Sequence, residues 1–106
     1  MKLTGNQIRY LLTIKKLSET KHVIKGVDVA KELNYSRASV HKMMVSLKEL
    51  DCVKQEYYSS MKLTPNGLKL AKMYEKKYDI IKKTLEPIID IPDSYNLGIC
   101  HLIELM

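Results

Sequence analysis

Residues 27–50 read VDVAKELNYSRASVHKMMVSLKEL. Two amphipathic stretches meet there across three residues, and that spacing constrains the chain more than any other feature. In the first, Val29, Ala30 and Leu33 share one face. In the second, Val40, Met43, Met44 and Leu47 recur at i, i+3, i+4 and i+7, the spacing of one buried helix face. Asn34, Tyr35 and Ser36 between them supply turn and cap residues. Two short helices joined by so tight a turn make a helix-turn-helix, with Ser36 capping a second helix that runs to about Leu50.

The flanking sequence extends the pattern. Thr4 with Gln7 three residues later forms a capping box, and Ile8, Tyr10, Leu11, Ile14 and Leu17 follow at helical spacing, so a first helix is expected from about Gly5 to about Glu19. The β-branched Val23 and Ile24 suit a brief strand. After Leu50 the period changes. Val53, Gln55 and Tyr57, then Met61 and Leu63, read as two short strands of a hairpin turning near residues 58–60. Thr64 caps a long helix with Pro65 at its first position, where a missing N–H costs nothing. Leu70, Ala71, Tyr74, Tyr78, Ile81 and Leu85 form its apolar side. Pro87 and Pro92 bracket a break, and a last helix from about Asp93 carries Leu97, Cys100, Leu102, Ile103 and Met106. The expected fold is mainly α with a small β-hairpin. A winged helix-turn-helix DNA-binding domain occupies residues 1–64, and a helical dimerisation arm over residues 65–106 packs on the same core.

Charge adds a partner class. Residues 1–85 hold all 18 Lys and Arg against 8 acids, a net +10, whereas residues 86–106 hold four acids and no Lys or Arg, a net −4. A basic body favours a polyanionic partner. No apolar run approaches the roughly 20 residues needed to span a membrane, and the first residues, MKLTGNQ, contain no signal-peptide core. A cytoplasmic protein without membrane partners is expected. Cys52 and Cys100 lie far apart and neither belongs to a CxxC pair, so each reads as a reduced thiol, Cys52 as a core filler.

The outer face of the second helix of the pair carries the functional signal. At 100° per residue, Ala38, His41, Lys42 and Val45 fall outward, with Arg37, Ser39 and Ser46 on the flanks, and no acid appears before Glu49. In a helix-turn-helix this helix enters the major groove and its N-terminal residues meet base edges. Arg37 and Lys42 can donate to guanine or phosphate, Ala38 can meet a thymine methyl, and Ser36 with the helix N-terminus suits a phosphate. The hairpin adds Tyr57, Tyr58, Ser59, Ser60 and Lys62, hydroxyls and a cation suited to backbone or minor-groove contact. Lys69, Lys72, Lys76 and Lys83 read as a solvated stripe of the long helix.

The tail offers the single candidate set for a metal. Cys100 and Glu104 stand at i, i+4, and His101 and Glu104 at i, i+3. Adjacent Cys100 and His101 point about 100° apart, so the favoured reading is a thiol in an apolar interface beside an exposed histidine. No carboxylate pair, Ser/His/Asp arrangement or glycine-rich phosphate loop is present, so no enzyme is expected.

RYLLTIKKLSE, VDVAKELNYSRASVHKMMVSLKELDCV and YYSSMKLTPNGLKLAKMYEKKYDII together resemble the N-terminal winged-helix part of the iron- and manganese-dependent repressors, the DtxR/MntR-like family. The pattern Asp28-x-Ala30-x-x-Leu33, then Ser36-x-x-Ser39-Val40 and an apolar Met43, carries the resemblance, as does Leu63-Thr64-x-x-Gly67. It spans roughly residues 4–86. It implies a dimeric module on a palindromic operator, switched on by a divalent metal. The implied metal-ligand positions fall on Arg9, Leu12 and Tyr78, and the tail reads Cys100-His101-Leu102-Ile103-Glu104, in which only the cysteine is in place. The expectation is therefore a sequence-specific transcriptional regulator, a repressor acting as a homodimer on double-stranded DNA, with no cofactor and no obligatory metal. Two alternatives stand beside it: a winged helix used as a protein-interaction module, and a remodelled metal or thiol sensor using Cys100, His101 and Glu104.

Overall fold

The computed structural model describes residues 2–56 and 60–106. Five helices and three short strands follow in the order α1 (Gly5–Ser18), β1 (Ile24–Lys25), α2 (Gly26–Leu33), α3 (Arg37–Glu49), β2 (Val53–Gln55), β3 (Ser60–Leu63), α4 (Pro65–Leu85) and α5 (Leu97–Glu104). The chain is mainly helical with one small antiparallel sheet, a winged helix-turn-helix as the spacing predicts. The sheet has a third member. β3 lies between β1 and β2, with Ile24 opposite Met61, Lys25 opposite Ser60 and Val53 opposite Leu63.

α1 is the central element. The capping box forms as expected, with Thr4 Oγ1 accepting from Gln7 N–H at 3.2 Å and Gln7 Oε1 accepting from Thr4 N–H at 2.9 Å. Ile8 and the run from Tyr10 to Ile14 are fully buried, because α2, α4 and α5 surround this helix. A helix packed on several sides needs a wide apolar face, and Ile8, Tyr10, Leu11, Leu12 and Ile14 supply it in the middle of α1. Arg9 alone interrupts the run with a charge.

Local chemistry places the helix-turn-helix. Asn34 ends α2 in the left-handed region at φ 57°, which Asn tolerates better than most residues. Ser36 Oγ then accepts from Ser39 N–H at 3.1 Å and starts α3. Val40 and Leu47 enter the core, but Met43 and Met44 are only half-buried. They sit at the two margins of the buried stripe, and each lines a cleft beside α3.

The start of α4 is pinned to the end of α3. Thr64 donates its N–H to the Cys52 carbonyl at 3.1 Å and its hydroxyl to the Asp51 carbonyl, and it accepts from Gly67 N–H at 2.9 Å. Gly67 lies so close to the Cys52 backbone that a Cβ there would stand 2.8 Å from its carbonyl carbon. Cys52 is buried, as a core filler should be.

The last helix begins later than Asp93. Tyr95 gives its carbonyl to Arg9, and Asn96 donates its N–H to the Tyr78 hydroxyl at 2.6 Å. Those bonds hold residues 93–96 out of helical geometry, and Asn96 Oδ1 instead caps α5 through Ile99 N–H at 3.1 Å. α5 packs on α1 with Ile99, Cys100 and Ile103 buried, whereas Leu102 and, beyond the helix end, Met106 are exposed. Tyr74 and Tyr78 of α4 also point into the chain's own core. Among the described residues no helix is long and apolar enough to cross a membrane.

Candidate nucleic-acid interface

α3 presents its first turns to solvent. Ser36, Arg37, Ala38, Ser39, His41 and Lys42 are all exposed, and no acidic side chain lies on α3 before Glu49. Val40 and Leu47 fix the opposite side of the helix in the core, so rotation about its axis is set by packing. Ser36 Oγ also donates to Ser39 Oγ at 2.9 Å, which draws these two hydroxyls together at the helix N-terminus.

Two clefts flank this face. Arg37, His41, Val45 and Lys48 line the one toward the sheet, together with Lys25 and Lys54. Ser39, Lys42 and Ser46 line the one toward α1, where Asn6 and Tyr35 complete the wall. Arg37 and Lys42 therefore serve opposite flanks of α3. Ser46 is half-buried and accepts from Gln7 Nε2 at 3.0 Å, so its hydroxyl holds α3 on α1. Asn6 Oδ1 is buried without a hydrogen-bond partner among the described residues.

The sheet contributes differently from the sequence expectation. Lys62 is exposed and stands directly opposite Lys54 across the β2–β3 pair. Like charges directly opposite each other destabilise a strand pair unless a counter-charge meets them. Ser60 is only 7% exposed, because it pairs with Lys25 of β1 on one side and accepts from Glu56 N–H at 2.8 Å on the other. Its expected contact with a nucleic-acid backbone is not supported by that position. Tyr57, Tyr58 and Ser59 lie outside the described residues.

The positions that the resemblance gives to metal ligands hold other chemistry. Arg9 Nε donates to the Tyr95 carbonyl at 2.8 Å and Arg9 Nη1 donates to the Tyr35 hydroxyl at 2.6 Å, with the guanidinium 5.3 Å from the Tyr35 ring centroid. Leu12 is fully buried. The Tyr78 hydroxyl accepts from Asn96, its ring meets Tyr95 edge-on at 4.9 Å between centroids, and burial pushes its pKa up. Cys100 is completely buried, and burial pushes its thiol up to about 12, against a smaller opposing effect of Arg9. A cation, an aliphatic side chain, a phenol already hydrogen-bonded and a protonated thiol do not make a divalent-metal site.

The tail set is not gathered either. Cys100 faces the core while His101 is exposed, and Glu104 reaches His101 Nδ1 at 3.5 Å and accepts from Gly5 N–H. Among the described residues no group of three His, Cys, Asp or Glu side chains is placed to hold a metal. The sequence reading missed the role of Tyr35 and Tyr95. The signal was Arg9 itself, since a charge inside a buried run requires partners close by.

Comparison with known proteins agrees with the winged helix-turn-helix. Residues 2–61 match the family model described as iron dependent repressor, N-terminal DNA binding domain. Among solved structures the chain is similar to IdeR of T. acidophilum, with 26% identity and a TM-score of 0.73 over 92% of this chain and 46% of that one. It is similar to the manganese regulator SloR, with 24% identity and a TM-score of 0.72 over 97% of this chain and 48% of that one. A third likeness is MepR, a transcription regulator of the Staphylococcus aureus multidrug efflux pump MepA, with 21% identity and a TM-score of 0.54 over 81% of this chain and 62% of that one. The likenesses to SloR and MepR are likenesses of fold. The chain spans about half the length of IdeR and SloR. No curated protein matches its sequence. The family model takes in more than half of the chain, including the complete helix-turn-helix, and the chain belongs to the iron dependent repressor, N-terminal DNA binding domain family.

Proposed function

We propose that this chain is a sequence-specific DNA-binding module of a cytoplasmic transcription regulator, a repressor without enzymatic activity. One observation carries the reading: the outward side chains of the first two turns of α3 are exposed, small or basic, and free of acids, while Val40 and Leu47 lock its other side in the core. Arg37 and Lys42 are the base-edge or phosphate donors, with Ser36, Ala38, Ser39 and His41 beside them. Lys54 and Lys62 meet the phosphate backbone, which supplies the counter-charge their juxtaposition lacks. Tyr58 and Ser59 remain assigned to the wing by sequence alone.

The regulator acts as a homodimer through α4 and α5. Exposed Ile80 of α4, Leu102 of α5, Ile88 and Ile89 between those helices and Leu105 just after α5 support this, as apolar side chains that a partner surface would cover. A monomer by sedimentation at micromolar concentration would contradict it.

Metal is not required for DNA binding in this reading. Arg9 supplies a permanent positive charge where the resemblance places a divalent cation, and it ties the turn before α3 to the segment before α5. The test is a binding selection from genomic fragments, with and without a chelator. Enrichment of the same sequence in both arms is the expected result. A chain that enriches no sequence would instead favour a protein-interaction module that meets an acidic partner.

A further inference from the structure

The cleft between α3 and the sheet has a composition that DNA contact does not explain. It encloses about 520 Å³, within the range of roughly 300–1,000 Å³ typical of small-molecule sites. Its floor is apolar, made by Val27, Val40, Met44, Val53 and Met61. Its rim is basic, with Lys25, Arg37, Lys48 and Lys54, and His41 beside them. Among the described residues, neither Asp nor Glu lines it. A phosphodiester backbone needs donors along its path, and an apolar floor offers it none. A concave apolar floor ringed by cations suits a molecule with an apolar body and one anionic end.

We propose that this cleft binds an amphipathic organic carboxylate, its hydrocarbon part on the Val40–Met44–Val53–Met61 floor and its carboxylate among Lys25, Lys48 and Lys54. Val45, 44% exposed on α3 between His41 and Lys48, covers one side of the hydrocarbon. Arg37, His41 and Lys54 line the cleft and are also assigned above to DNA, so the carboxylate and DNA exclude one another. This exclusion rests on the DNA-binding reading; the binding site itself does not.

The probe is decanoate, titrated calorimetrically into the full chain without DNA. Saturable binding of one decanoate per chain is expected, at least tenfold tighter than decanol and with no measurable binding of acetate. Lys48→Glu and Lys54→Glu, both at exposed positions, each weaken it at least tenfold, whereas Lys72→Glu on α4 leaves it unchanged. Absence of saturable binding, equal binding of decanol, or equal binding by the two rim variants overturns the proposal. In a second arm, decanoate raises the apparent Kd for a selected DNA by the inverse of the unoccupied fraction, about tenfold at 90% occupancy. A chain that binds decanoate but no DNA retires the DNA-binding reading and supports the site. A chain that binds DNA but not decanoate retires the site alone.

Discussion

Arg9 Nη1 donates to the Tyr35 hydroxyl at 2.6 Å, which joins the middle of α1 to the turn of the helix-turn-helix. The same guanidinium holds the Tyr95 carbonyl at 2.8 Å. One charged group thus fixes both the entry to α3 and the approach to α5, and its planar fork meets the two acceptors in different directions. Hydrogen bonds to charged groups contribute about 1.5–3 kcal/mol each to stability. Arg9→Ala removes two such bonds and is expected to cost about 3 kcal/mol or more, read by urea denaturation. Arg9→Lys keeps the charge but not the fork, and recovers only part of the loss. Full stability of Arg9→Ala would mean that the two contacts do not hold the turn.

Lys54 and Lys62 oppose each other across the strand pair. Lys62→Glu replaces a repulsive pair with an attractive one and is expected to stabilise the fold by about 0.2–1 kcal/mol. The same change weakens DNA binding and lowers its salt dependence, because a phosphate contact is lost. The two effects have opposite signs, so thermal unfolding and a salt-titrated affinity together check the pair. Unchanged DNA affinity would remove Lys62 from the interface.

Much of this arrangement was legible in the sequence because it is local. Caps at Thr4, Ser36 and Thr64, the proline at the start of α4 and the buried stripe of α3 each depend on residues within one or two turns. What stayed hidden depends on distant partners. Ser60 reads as a hairpin hydroxyl until β1 pairs on its other side and buries it. The start of α5 reads as Asp93 until Arg9 and Tyr78 claim the backbone of Tyr95 and Asn96, residues 86 and 18 positions away from them. Met43 and Met44 obey the helical period as well as Val40 does, yet they fall at the margins of a stripe whose width is set by α1 and the sheet.

Three glycines separate backbone approach from empty space. A Cβ on Gly67 would stand 2.8 Å from the Cys52 carbonyl carbon, and one on Gly5 would stand 2.9 Å from the His101 Cα. Backbone cannot move aside as a side chain can. Gly67→Ala and Gly5→Ala are each expected to cost about 1–3 kcal/mol or more as the packed elements are forced apart. Gly26→Ala meets only Val40 Cγ1 at 3.7 Å and is expected to be neutral or slightly stabilising at the start of α2. Urea denaturation of the three variants gives the order, and a destabilised Gly26→Ala would contradict it.

Glu104 links the tail to the start of α1. The hydrogen bond from Gly5 N–H, with smaller help from His101, holds its carboxyl below the ordinary value of 4.5. A carboxylate depressed in the folded state stabilises the fold above its unfolded pKa, and the contribution fades as pH falls through the folded value. Glu104→Gln is therefore expected to be less stable than the native chain at neutral pH, with the two curves converging in acid. A gap that persists unchanged into acid would show that ionisation of Glu104 plays no part.

In the proposed function α3 reads DNA without a metal. Its most direct test is the affinity of the native chain, Arg37→Ala and Lys42→Ala for a selected sequence and for bulk DNA, with and without a chelator. Chelator-independent binding is expected, with each variant losing about 1–3 kcal/mol on the selected sequence and less on bulk DNA where it meets bases. Binding that requires added metal, or affinity for the selected sequence that survives both substitutions, would contradict it.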